Sequence, residues 1–130
     1  MKVKDTMTQT APADTARSLR VVLVEDDELI TLLLEDMLTD LGHVICATAA
    51  SEEEAVSAAE REKPDLMVLD FHLRQGNGGA AMDRILCHGP MPHIFVTGGN
   101  IEPERPGAVL LSKPFMEHQL RAAVEKAVAT

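Results

Sequence analysis

The stretch Leu66-Met67-Val68-Leu69-Asp70 decides the fold: four consecutive apolar residues run straight into a carboxylate. A short continuous apolar run of this kind suits a strand buried on both faces of a parallel sheet. The pattern occurs upstream too, where the apolar run Leu19 to Val24 ends in Glu25-Asp26-Asp27. Downstream, Ile94-Phe95-Val96 precede Thr97, and Val109-Leu110-Leu111 lead to Lys113. In an open α/β sheet the carboxyl ends of parallel strands lie side by side, and ligands bind there. Three acids, a hydroxyl and a lysine are therefore expected to meet in one polar site suited to a metal ion and a phosphoryl group. The plainer reading is four strands that each meet a polar loop.

Working outward, strand and helix alternate. Strand 20–24 is followed by a helix from about Asp27 to Leu41, its apolar face carried by residues 29, 33, 37 and 41 with 30, 34 and 38 beside them. Gly42 ends it. Strand 43–48 is weaker and expected at a sheet edge. Ser51 and Glu54 form a capping box for helix 52–62, which stops before Pro64. After strand 66–70, residues 74–79 read as a flexible glycine-rich loop, and a helix runs from about Gly79 to Cys87. Strand 93–97 follows Gly89-Pro90-Met91-Pro92. Residues 98–107 hold Gly98, Gly99, Gly107, Pro103 and Pro106 and show no apolar periodicity, so the expected crossover helix is reduced to a turn at most. Connections between parallel strands usually need about a dozen residues, and this one is barely long enough. Strand 108–111 and a helix beginning near Phe115, with Leu120, Val124 and Val128 at four-residue spacing, complete the chain. Five parallel strands with four or five helices predict a doubly wound, three-layer α/β/α sandwich.

At 130 residues the chain has room for one domain with a real core. Residues 1–18 read as a flexible tail and 19–130 as the domain. There is no apolar stretch long enough to span a membrane and no signal-peptide pattern, so a cytoplasmic protein is expected. The formal net charge is −9, without any lysine- or arginine-rich block, which argues against direct nucleic-acid binding. Cys46 and Cys87 lack metal-ligand or redox spacing and are expected to be buried, reduced thiols.

The chemistry centres on Asp70, placed where a rigid strand meets a loop. Glu25 and Asp26 beside it make a carboxylate cluster that repels itself and titrates as a coupled set. A hard cation such as Mg2+ relieves the repulsion, taking oxygen ligands and keeping several waters; it also orients phosphoryl oxygens. Asp27 is better read as the cap of the following helix, whose amino end favours acids. Lys113, held before Pro114, can pair with Asp70 at rest and with a phosphoryl oxygen afterwards, and Thr97 can donate to the same oxygen.

The quoted segments VVLVEDDE, DLMVLDF, VTG and LLSKPF resemble the response-regulator receiver domain of two-component signalling, over residues 19–128. That resemblance implies a flavodoxin-like strand order 2-1-3-4-5. It implies that Asp70 accepts a phosphoryl group from a histidine kinase by self-catalysed transfer, followed by slow autodephosphorylation. It also implies that Glu25, Asp26, Asp70 and the backbone carbonyl of His72 hold Mg2+, and that Thr97 and Lys113 sense phosphorylation. The segment PHIFVTGG is similar to that of receivers with a PFxFATG-type motif, many of which partner kinases of the HWE or a related class.

Two departures from the family pattern stand out. Leu110 occupies the position of the usual switch aromatic, and the stretch after Gly98 is short. With the chain ending at Thr130, no effector domain is expected. The output is then protein–protein signalling through the 98–113 surface, to a downstream protein, or service as a phosphate sink. A phosphorylation-independent pseudo-receiver is the alternative, and it predicts damage to the acids or the lysine that the sequence does not show. A phosphohydrolase needs a substrate pocket for which little chain remains.

Overall fold

A computed structural model of the chain describes residues 17–98, 105 and 107–129. Nine elements follow one another: β1 Arg20–Val24, α1 Glu28–Asp40, β2 Val44–Ala49, α2 Glu52–Glu62, β3 Leu66–Asp70, α3 Gly78–Leu86, β4 His93–Thr97, β5 Val109–Ser112 and α4 Glu117–Val128. The strands form one sheet in the order β2-β1-β3-β4-β5. Every pairing is parallel. The expected doubly wound sandwich with strand order 2-1-3-4-5 is thus observed, and β2 lies at an edge as its weaker pattern suggested.

Side chains alternate across the strands, and each central strand feeds two cores. Val21, Leu23, Leu66, Val68, Ile94 and Val96 pack with Leu34 and Leu38 of α1 and Leu120 and Val124 of α4. Val22, Val24, Met67, Leu69 and Phe95 face the other layer, against Ala55, Ala58 and Ala59 of α2 and Ala81 and Met82 of α3. Residues 21–24, 66–69 and 94–96 are all buried to within about 1% of full, which is why their runs are continuously apolar rather than alternating. Burying each large side chain is worth roughly 1.5–3 kcal/mol. Asp70 therefore hangs from a rigid support.

Helices α1, α2 and α3 begin where short polar side chains cap them, whereas at α4 the Gln119 side chain accepts from the Met116 amide. Asp27 caps α1 and Asn77 caps α3. Ser51 Oγ accepts from the Glu54 amide at 3.2 Å, while Glu54 Oε1 reaches back to the amide of Ala50, one residue beyond the expected partner. The buried face of α1 differs from the expected one. Leu34 and Leu38 are buried, with Ile30, Met37 and Leu41 packed beside them. Leu29 and Leu33 instead face solvent, at 76% and 44% exposure. The expected and observed stripes are neighbouring rows of one helix; contact with β1 and β2 selects the row centred on Leu34 and Leu38.

Cys46 is half-buried in β2, and Cys87 is exposed at the end of α3, so the expectation of two buried thiols fails for Cys87; neither is in a disulfide. Most of the irregular crossover expected at 98–107, and residues 1–16 of the expected tail, lie outside the described residues. Leu110 pairs in register with Phe95 and lies half-buried beside the α2–α3 core. Among the described residues no helix is long and apolar enough to cross a membrane.

Candidate functional site

The sheet brings the ends of β1, β3 and β4 together, because Val24 pairs with Leu69 and Asp70 with Val96. Glu25, Asp70 and Thr97 are all buried there, at 5%, 7% and 3% exposure. Oxygens of Glu25, Asp26 and Asp70 lie within 4.8 Å of one another. Lys113 enters from the loop after β5, with Nζ 3.4 Å from Asp70 Oδ2 and 3.6 Å from Glu25 Oε1. The Lys113–Pro114 peptide is cis. The Lys113 amide donates to the Thr97 carbonyl at 2.8 Å, tying the end of β4 to that loop. Five residues singled out in the sequence, Glu25, Asp26, Asp70, Thr97 and Lys113, therefore occupy one crevice.

Backbone amides aim the acids. Asp70 Oδ1 accepts from the His72 amide at 3.1 Å, and Glu25 Oε2 from the Asp27 amide at 3.1 Å. Asp26 Oδ2 accepts from the Arg74 amide at 2.6 Å, and the Arg74 guanidinium stands 3.9 Å away. His72 itself is exposed and bridges to Asn77.

Three carboxylates face one ammonium and, at the solvent edge, the exposed Arg74 guanidinium, so the acids outnumber the cations. Burial pushes the Glu25 carboxyl up to about 6; the Asp27 amide opposes this, the Asp70 charge adds to it and Lys113 lowers it. Glu25 Oε1 is buried without any hydrogen bond. A buried, unsatisfied carboxylate oxygen beside two more carboxylates is a donor set that fits a hard divalent cation, which takes oxygen ligands.

Three features of the site escaped the sequence. Arg74 pairs with Asp26, though its position in a glycine-rich stretch suggested only a loop. That stretch is tied down: the Glu52 amide donates to the Gln75 carbonyl at 3.1 Å, and Asn77 N–H reaches Glu52 Oε1 at 3.4 Å. Gly78 and Gly79, read as loop and helix start, form the buried first turn of α3. A methyl group on Gly78 would collide with the Asp70 carbonyl oxygen. The adjacent glycines were the available signal, since close backbone approach is one reason for a glycine.

Residues 21–125 match the family of the response regulator receiver domain. The transcriptional regulatory protein PdtaR of Mycobacterium tuberculosis (strain CDC 1551 / Oshkosh) is 33% identical over 126 residues, covering 92% of this chain and 62% of PdtaR. The phyllosphere-induced regulator PhyR of Methylorubrum extorquens is 32% identical over 114 residues, covering 83% of this chain and 43% of PhyR. The chain thus spans less than two thirds of the length of either relative. Among solved structures, the solution NMR structure of the Erythrobacter litoralis PhyR response regulator REC domain aligns with a TM-score of 0.75 and 34% identity. That alignment covers 86% of this chain and 91% of that one. The match over residues 21–125 joins the strand order and the acid group at the ends of β1 and β3 in a single conclusion: this chain belongs to the response regulator receiver domain family.

Proposed function

We propose that the protein is a phosphorylation-dependent signalling module in which Asp70 accepts a phosphoryl group from a histidine kinase. The observation that carries this reading is the buried carboxylate of Asp70, backed by Glu25 and Asp26 and paired with Lys113. An Asp70 oxygen attacks phosphorus and forms an acyl phosphate while the bond from phosphorus to the kinase histidine nitrogen breaks; the departing imidazole carries away the electron pair and takes up a proton. Glu25, Asp26, Asp70 and the carbonyl of His72 would hold Mg2+, which when bound would supply charge neutralisation and orientation of the phosphoryl oxygens. Lys113 exchanges its pairing with Asp70 for a phosphoryl oxygen, and Thr97 donates its hydroxyl to another. Through the bond from the Lys113 amide to the Thr97 carbonyl, these shifts reach the 98–113 surface, where a downstream protein reads them. Water later cleaves the acyl phosphate slowly. The PHIFVTGG segment favours a kinase of the HWE or a related class. The intact acids and lysine argue against a phosphorylation-independent pseudo-receiver.

Incubation with acetyl phosphate and Mg2+, read by intact mass, tests this. The unaltered protein gains one phosphoryl group, and Asp70→Asn gains none while keeping its circular dichroism. Labelling of Asp70→Asn to the same extent overturns the assignment.

A further inference from the structure

The loop between β3 and α3 aims two of the three acids, through the His72 amide on Asp70 and the Arg74 amide on Asp26. Besides the bonds that Glu52 makes with Gln75 and Asn77, a cluster around Gly79 holds the loop. Its backbone lies so close to Phe71 that a Cβ there would stand 2.6 Å from the ring. Phe71 meets the buried Phe95 edge-on, with centroids 5.4 Å apart. The Arg105 guanidinium lies 5.2 Å from the centroid of that same Phe95 ring. Its Nη2 donates to the Gly79 carbonyl at 2.8 Å, and its Nη1 pairs with Asp83 Oδ1 at 2.9 Å. One guanidinium thus grips the first turn of α3 and the face of β4, the two elements that enclose Phe71. Phe71 is the residue after Asp70, and its carbonyl accepts from the Gly78 amide at 2.9 Å.

We propose that Arg105 is a positioning residue for the acceptor site. It acts through Gly79 and Phe71 on the loop that orients Asp70 and Asp26. Two properties of arginine suit it to this work: a planar fork that serves two acceptors at once, and a flat cation that stacks on an aromatic ring. Lysine offers one point charge and can satisfy Asp83 without also capping Gly79 and covering Phe95. Asp83 is mostly exposed, so it contributes orientation to the guanidinium more than energy. The consequence for phosphotransfer rests on the reading of Asp70 as phosphoacceptor, whereas the effect on the loop does not.

The test compares the unaltered chain with Arg105→Gln, Arg105→Lys and Asp83→Asn. Amide hydrogen exchange at His72 and Arg74 is expected to quicken about tenfold in Arg105→Gln, the shift produced by losing roughly one charge-assisted hydrogen bond. Exchange at Val68 and Leu69 in the sheet stays unchanged, which separates positioning from general destabilisation. Mg2+ affinity, titrated with the metal alone, falls about tenfold, the low end for loss of a group supporting metal ligands. Arg105→Lys falls between, and Asp83→Asn has the smallest effect. Exchange at His72 and Arg74 in Arg105→Gln equal to that of the unaltered protein overturns the role of Arg105, whatever happens at Asp70. Uniform quickening that includes Val68 and Leu69 overturns it too. An unaltered protein that neither binds Mg2+ nor accepts phosphoryl overturns the functional reading instead.

Discussion

At the end of β1 the chain passes into a helix within residues 25–27, whereas after β3 residues 71–77 intervene before α3 begins. The two strand ends carry similar chemistry, yet they are supported differently. At the first, the Glu25 side chain and the start of α1 are held by near neighbours: Glu25 Oε2 accepts from the Asp27 amide, and Asp27 Oδ1 accepts from the amides of Leu29 and Ile30. The second is held from a distance, by Glu52 against Gln75 and Asn77, by Asp26 against Arg74 and by Arg105 against Gly79. Local hydrogen bonds thus aim Glu25 and cap α1, while Asp26 at the same end takes its orientation from the Arg74 amide of the β3–α3 loop. The end of β3 depends on residues far along the chain, which makes it both adjustable and vulnerable.

The sharpest way to break this contrast is Gly78→Ala. The added methyl meets the Asp70 carbonyl oxygen, a backbone atom that cannot swing aside. A cost of about 3 kcal/mol is expected, the upper end for overpacked sites. Alanine's preference for helix interiors gives little back at the first helical position. Urea denaturation measures the loss, and NMR should show the largest shifts at Asp70 and His72. A change within about 0.5 kcal/mol, typical of unconstrained surface positions, would mean the β3 end is looser than described.

The same contrast explains what the sequence revealed. Strands 20–24, 66–70 and 93–97 were legible to the residue because burial on both faces demands unbroken apolar runs, and their terminal acids and threonine followed from the topology. Asp27 was legible as a cap because capping is a local act. The apolar face of α1 was centred one residue off because Leu29, Leu33, Leu34 and Leu38 give two overlapping stripes, and only packing against β1 and β2 chooses between them. Arg74, Gly78 and Arg105 were missed for a different reason. The partners of the two arginines, Asp26 and Gly79, are remote in sequence and no local pattern announces them, while the paired glycines signalled a close approach at Gly78 without naming Asp70 as its partner.

The next effect concerns the β1 end and its charge. Burial raises Glu25 from 4.5 to about 6, so the folded state favours the protonated form over the unfolded chain. Stability from this group is fully present below about pH 4.5 and is lost as the pH rises through about 6. A shift of this size amounts to at most about 2 kcal/mol. In chelator, Glu25→Gln should therefore gain stability over the unaltered protein at about pH 7.5 and gain less near pH 5. His43, lowered by burial, contributes in the opposite direction, losing stability as the pH falls, but it is common to both proteins and cancels in the difference. Urea midpoints across the range give the comparison. A difference that does not grow with pH would show that the carboxylate is satisfied within its own segment after all.

The smallest effect sharpens the division between support and chemistry at the β1 end. Asp27 Oδ1 lies 2.9 Å from the Leu29 amide and 3.4 Å from that of Ile30, and Asp27 is not part of the acid group formed by Glu25, Asp26 and Asp70. Asp27→Ala removes the cap and is expected to cost about 1 kcal/mol. Its backbone amide survives the substitution, so the bond to Glu25 Oε2 remains and the three acids keep their places. Mg2+ affinity should then stay within about twofold of the unaltered protein, as the remaining long-range field of one exposed charge is screened over roughly 10 Å. Asp26→Asn should reverse the pattern, sparing most of the stability and losing the metal. Calorimetric titration of both variants, set beside their denaturation curves, separates the roles. If Asp27→Ala weakens Mg2+ as much as Asp26→Asn does, the cap is part of the site, and the β1 end is no simpler than that of β3.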